Sequence, residues 1–209
     1  MGCSQSSVLY ESKSKYENDK SWEELATWGK DLGINTWSKD IVSMNTIHPK
    51  LFMGSRLSAQ EVIDKGKLTD QDGKIYTASK FHVVCVASEK TCQYCEISDK
   101  FKGYDIQDRN QQSDDFLNTG IKTAKHIHKK LRHGNYVLVH CHSGRNRSAL
   151  AILLYAGMYT NLTYEDALHK IKLHNSSRFS MQSTLQNNQF TQSVKQNWSN
   201  LKGKSGRIL

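Results

Sequence analysis

The hydrophobic pattern of this chain changes period around residue 141. Tyr136-Val137-Leu138-Val139 is a short, β-branched run of the kind that forms a buried strand. Ala149-Leu150-Ala151-Ile152-Leu153-Leu154-Tyr155 predicts the apolar start of a helix. Elsewhere the pattern is helical, with recognisable caps. Asp114 or Asp115 can cap a helix running to about His133, and Thr163 with Asp166 reads as the cap of another. Ser21-Trp22-Glu23-Glu24-Leu25-Ala26-Thr27-Trp28 reads as a capped amphipathic helix whose tryptophans belong to a core. Strands alternating with long helical segments predict an α/β fold with helices covering a central sheet. Residues 1–20, rich in Ser, Lys and Glu, read as a flexible arm, 21–200 as one folded domain, and 201–209 as a frayed basic tail. With 209 residues, 37% of them hydrophobic, the chain can bury one sizeable core and has little length left for a second domain.

The chemistry lies between that strand and that helix, in His140-Cys141-His142-Ser143-Gly144-Arg145-Asn146-Arg147-Ser148. A loop that opens a helix carries unpaired N–H groups at the positive end of the helix dipole, and so favours an anion. A cysteine placed there, near an arginine, has a lowered pKa and stands as the nucleophilic thiolate. Successive amides of His142, Ser143, Gly144, Arg145 and Asn146 can form a nest for phosphoryl oxygens, with the planar fork of Arg147 turned back onto two of them. Gly144 lets the backbone curl without a Cβ clash. Ser148 can donate a hydrogen bond to the cysteine sulfur and help it leave, and His140 fixes the loop from behind rather than reacting.

His-Cys-x-x-Gly-x-x-Arg-Ser resembles the signature of the dual-specificity-type cysteine phosphatases, in the protein tyrosine phosphatase superfamily. The resemblance covers about residues 43–195. It implies a mixed, mostly parallel sheet flanked by helices, with the phosphate-binding loop between a strand and a helix. Ile47 to Ser55 is similar to the family's opening strand and the Gly-Ser after it, and Phe81-His82-Val83-Val84-Cys85-Val86-Ala87 to its central strand. Lys65 to Ser79 then looks like an insertion before that strand. Tyr104-Asp105-Ile106-Gln107-Asp108 resembles the strand that delivers the general acid, and Met181-Gln182-Ser183-Thr184-Leu185 stands where the family has a Pro-Asn segment. Phosphoester cleavage needs a proton for the leaving oxygen and later a base for water. Asp108 is the candidate, at the family's spacing before Cys141, with Asp105, Asp114 and Asp115 as alternatives.

The N-terminus carries a second motif. Met1-Gly2-Cys3-Ser4-Gln5-Ser6 fits the N-myristoylation pattern at Gly2, and Cys3 is then placed for palmitoylation. A secretory signal is absent and the apolar runs are too short to span a bilayer, so a reduced, cytoplasmic location, peripheral at a membrane through this lipid anchor, is expected. Cys92-Gln93-Tyr94-Cys95 is a lone pair without further ligands, so no metal is expected, and the chemistry calls for no cofactor. Some members of the family shield the nucleophile with a neighbouring disulfide, which makes Cys85, on the strand beside Cys141, a candidate redox partner.

A net charge of +9 points to acidic partners. A phosphoprotein substrate and an anionic phospholipid both fit. His142 and Arg145 resemble the basic positions of lipid-directed members. Asn146 is similar to the RNA triphosphatases of mRNA capping, but no aromatic-basic interleaving marks a nucleic-acid face, so nucleic acid is not expected. The expected activity is hydrolysis of phosphotyrosine and phosphoserine/threonine through a cysteinyl-phosphate. The alternatives are a phosphoinositide or phospholipid phosphatase at a membrane and an idle phosphate-binding module.

Overall fold

A computed structural model describes residues 41–77, 81–87, 100–108, 115–178 and 180–204. The chain runs β1 (Val42–Ser43), β2 (Leu51–Gly54), α1 (Arg56–Lys65), β3 (Lys67–Thr69), β4 (Ile75–Thr77), β5 (Phe81–Cys85), β6 (Phe101–Gly103), α2 (Asp115–Arg132), β7 (Tyr136–His140), α3 (Arg147–Tyr159), α4 (Tyr164–Asn175) and α5 (Asn188–Lys204), with a 3-10 turn at Met181–Ser183. Five strands form one sheet in the order β1-β2-β7-β5-β6; β1 is antiparallel and the other pairings are parallel. The mixed, mostly parallel sheet expected from the resemblance is therefore present.

β7 sits at the centre because both of its faces are apolar, which is what a strand between two covered faces requires. Side chains alternate as the strand period demands. Met53, Val84, Val137 and Val139 face a core shared with α2, α3 and α5, whereas Phe52, Phe81, Val83 and Leu138 face a second core under α1 and the β3–β4 hairpin. Helix α3 is buried from Ser148 to Met158, in keeping with an apolar run that has no polar stripe. Burying Leu150, Ile152, Leu153 and Leu154 completely contributes about 1.5–3 kcal/mol each. Gly120 lets α2 approach α3 closely, since a Cβ there would strike the Leu154 side chain.

Three expectations need adjusting. The segment Tyr104–Asp108 is not a strand: β6 ends at Gly103, and the ladder closes with the Tyr104 amide on the Cys85 carbonyl (2.8 Å). The Val86 amide belongs to the other side of β5, where it continues the ladder to β7 on the His140 carbonyl (2.8 Å). The expected insertion is the β3–β4 hairpin, which lays Tyr76 on Phe52 and Tyr136 with ring centroids 4.9 Å apart in each case. Asp70 holds its turn by accepting from the amides of Asp72 and Lys74 and from the Tyr76 hydroxyl. The expected tail is partly helical, since α5 continues to Lys204 with Leu201 fully buried. The expected arm, the helix over residues 21–28, Cys92 and Cys95 lie outside the described residues. Among those described, no helix is long and apolar enough to cross a membrane.

Buried imidazoles give the fold an acid limit. His82 of β5 meets His126 of α2, Nε2 to Nε2 at 2.7 Å. Burial, then Lys130 and His126, push His82 down to about 3; burial, then Lys130, Lys102 and Lys129, push His126 to about 4. Burial likewise takes His140 to about 4. These folded values lie below the unfolded value of about 6.5, so the unfolded chain binds more protons between the two. Stability is complete above about pH 6.5 and is lost as pH falls toward 4. The two buried rings, His82 and His140, together give a slope of at most about 3 kcal/mol per pH unit. The denaturant midpoint is expected to fall steeply between about pH 6.5 and 4.5; a flat midpoint there contradicts the assignment of neutral rings.

Candidate active site

The parallel strands β2, β7 and β5 end level, with Gly54 opposite His140 on one side and Cys85 opposite it on the other. Ligand sites of open α/β sheets lie at this carboxyl edge. Here the chain leaves β7, makes one tight loop and enters α3.

The loop is inverted by its surroundings. The His142 carbonyl accepts from the Arg56 amide at the start of α1 (3.0 Å), and the Ser143 carbonyl from Arg178 Nη2 (3.4 Å). The Gly144 carbonyl accepts from Asn175 Nδ2 (3.2 Å) and the Arg145 carbonyl from the Leu185 amide (3.3 Å). Four consecutive carbonyls are thus tied outward to the scaffold, and the amides between them turn toward the cysteine. The Gly144 amide lies 3.3 Å from the Cys141 sulfur, and the amides of Arg145 and Ser148 also donate to it. Gly144 has φ +74, and a Cβ there would come within 2.7 Å of the Gly54 carbonyl oxygen, so only glycine fits the turn.

Cys141 is buried and is a free thiol. Burial alone pushes its pKa up, but the Arg147 guanidinium, the Ser148 hydroxyl and the loop amides outweigh that and lower it from the ordinary thiol value. Ser148 Oγ stands 3.4 Å from the sulfur. His140, fully buried, donates from Nδ1 to the Cys141 carbonyl (3.1 Å).

Asp108 reaches this cluster from the segment after β6. Its Oδ2 lies 3.8 Å from Arg147 Nε and 3.5 Å from Asn146 Nδ2. The alternatives stand elsewhere or outside the described residues. Asp105 is exposed and bound by the Gln107 amide (2.9 Å), Asp115 opens α2 in the helix-start role weighed for it, and Asp114 is not described. Arg145 extends to Gln186 Oε1 (3.0 Å), and burial, Arg147 and Arg56 lower the pKa of His142, leaving it neutral at pH 7. Cys85 lies on the neighbouring strand, as expected, but is disulfide-bonded while Cys141 is free. The Cys85–Cys141 pairing is therefore absent from this state, and the partner of Cys85 is outside the described residues.

Several site residues escaped sequence reasoning. Asn187 caps α5 by accepting from the amides of Gln189 and Phe190, and its Nδ2 meets both the carbonyl and the Oδ1 of Asp108 (3.5 and 3.4 Å). Asn175, Arg178 and Leu185 hold the loop carbonyls; Leu185 adopts φ 55, a left-handed backbone that L-residues avoid at a cost of about 1–2 kcal/mol. Only Asn187 carried a readable signal, an asparagine just before a helix.

The fold is shared with solved structures of phosphatases and of a phosphatase-like protein. The human tyrosine phosphatase-like serine/threonine/tyrosine-interacting protein is 18% identical over 78% of this chain and 98% of its own, with a TM-score of 0.56. DUSP15 is 17% identical over 78% and 94%, also at 0.56, and the PTP-2 phosphatase of Cydia pomonella is 15% identical over 77% and 91%, at 0.55. At these identities the likeness speaks for the fold alone. The dual specificity phosphatase catalytic domain, as a family model, matches residues 69–198, from the last residue of β3 through the Asp108 segment and the loop into α5. With that match and the His140–Ser148 loop in place, the chain belongs to the dual specificity phosphatases of the protein tyrosine phosphatase superfamily.

Proposed function

We propose that this chain is an active, cysteine-dependent phosphatase that hydrolyses phosphomonoesters of phosphotyrosine and phosphoserine/threonine in proteins. One observation carries the reading: four outward-tied carbonyls leave the loop amides converging on a buried thiol whose pKa is lowered. In the first step the Cys141 thiolate attacks phosphorus and the bond to the leaving oxygen breaks, while Asp108 protonates that oxygen. The loop amides and the Arg147 fork hold the three equatorial oxygens. In the second step Asp108, now a carboxylate, takes a proton from water; the water oxygen attacks phosphorus, the P–S bond breaks, and Ser148 donates to the departing sulfur. Inorganic phosphate leaves and the thiolate is restored.

Protein phosphate is favoured over lipid headgroups because the two basic positions that suggested lipid are not poised for it. His142 is neutral, and Arg145 is engaged with Gln186. The test is phosphate release from phosphotyrosine and phosphothreonine peptides against phosphoinositides and phosphatidylglycerophosphate. Peptide turnover is expected to dominate by at least about tenfold, a difference of 1.4 kcal/mol in transition-state binding. Dominant lipid turnover would reassign His142 and Arg145 as headgroup contacts, and silence on every substrate would leave a phosphate-binding module. The location proposed with this activity is the cytoplasmic face of a membrane, through acylation at Gly2 and Cys3, on the strength of the Met-Gly-Cys-Ser-Gln-Ser motif.

A further inference from the structure

Helix α2 carries more positive charge than its packing explains. Its buried face is Phe116, Leu117, Gly120, Ile121, Ala124, Ile127 and Leu131. On the opposite side Lys122, Lys125 and Lys129 recur at helical spacing, so their side chains share one exposed face within about a 60° arc. After Asp115 the helix has no acidic residue. Among the described residues, Lys122, Lys125 and Lys129 take part in none of the ion pairs. Partly exposed Lys130 and exposed Lys102 of β6 flank the ridge, and their charge, with that of Lys129, is felt at His126 after burial itself. Lys50 continues the patch around the α2–β7 turn, where its Nζ donates to the Gly134 carbonyl (3.2 Å).

We infer that this ridge is a docking surface for an anionic membrane. The helix is amphipathic, but its apolar side is already spent on the core, so the contact is electrostatic and lies at headgroup level rather than by insertion. Charge complementarity alone would admit any polyanion. What selects a membrane is the acylation motif at Gly2, because one myristoyl chain gives only marginal binding and stable attachment needs a second signal. A cluster of lysines facing anionic lipid is such a signal, contributing about fivefold in affinity per lysine. The ridge runs along the helix rather than at one end of it, with Lys122 about 10 Å from Lys129, so docking through all three lysines lays α2 along the bilayer surface. The docking surface does not rest on the protein-phosphatase reading.

The experiment is flotation of the full-length, unacylated chain with phosphatidylcholine vesicles, with and without phosphatidylserine. Binding is expected only with phosphatidylserine and should weaken with salt. Lys122→Gln/Lys125→Gln/Lys129→Gln is expected to lose on the order of 100-fold in affinity, while hydrolysing a soluble phosphopeptide at the unaltered rate. With the acylated chain expressed in eukaryotic cells, Gly2→Ala and the triple substitution should each shift protein from the membrane to the soluble fraction. Unchanged vesicle binding by the triple variant would overturn the proposal, as would equal binding to both vesicle types. No vesicle binding, together with ridge-dependent binding to polyglutamate, would also overturn it and make the ridge a protein-docking face. Phosphopeptide hydrolysis reads the catalytic site separately, so failure of one reading does not resemble failure of the other.

Discussion

Cys141→Ser is expected to lower phosphopeptide turnover by at least about 10⁴-fold, the scale on which removing a covalent nucleophile disables a site that still binds its substrate. The loss belongs to the chemical step. Every group that lowers the Cys141 pKa, from Arg147 to Ser148 and the loop amides, stays in place around a hydroxyl that is not ionised at neutral pH. The outward ties of the four carbonyls do not involve the sulfur, so the amide nest persists and the variant should still bind the phosphate dianion. Equilibrium binding of a phosphotyrosine peptide near the wild-type affinity, with no phosphate released, is the expected pair of results. Loss of binding along with turnover would mean that the substitution had collapsed the loop.

Asp108→Asn is expected to cost about 10²–10⁴-fold in turnover, the usual range for a positioned general acid. The substitution keeps the shape and the contacts with Asn146 and Asn187 while removing the transferable proton. In the wild type, kcat/KM rises as pH increases through the lowered pKa of Cys141, because the thiolate is the reactive form. That rising limb belongs to the nucleophile and should remain in Asp108→Asn. A leaving group that needs no protonation, such as an activated aryl phosphate, should recover much of the lost rate. A variant with full activity would remove Asp108 from the mechanism and return attention to Asp114.

The loop was legible because its chemistry is local. The apolar run into Cys141, the glycine at Gly144, the arginine in the first turn of α3 and the hydroxyl after it all lie within thirteen residues, and strand-to-helix geometry turns that order into an anion site. The strands and the buried α3 were legible for the same reason, as runs of fixed period. What sequence reasoning missed depends on distant segments meeting. Asn175, Arg178 and Leu185 support the loop only because the α4–α5 connection passes beneath it. Polar residues in a polar connection leave no periodic trace of that approach. The strand expected at Tyr104–Asp108 shows the converse. Its alternation is real, with Ile106 fully buried, but alternation selects an extended segment and not a hydrogen-bonding partner. β6 ends at Gly103, and the residues after Tyr104 deliver Asp108 as a loop.

The most direct test of the account is rapid acid quench of the wild-type chain during turnover of a phosphotyrosine peptide, followed by mass mapping of the peptide that contains Cys141. The expected result is one phosphoryl group on the Cys141 sulfur, accumulating in Asp108→Asn and absent from Cys141→Ser. Sustained phosphate release with no phosphorylated Cys141, or release that survives Cys141→Ser, would contradict the covalent mechanism.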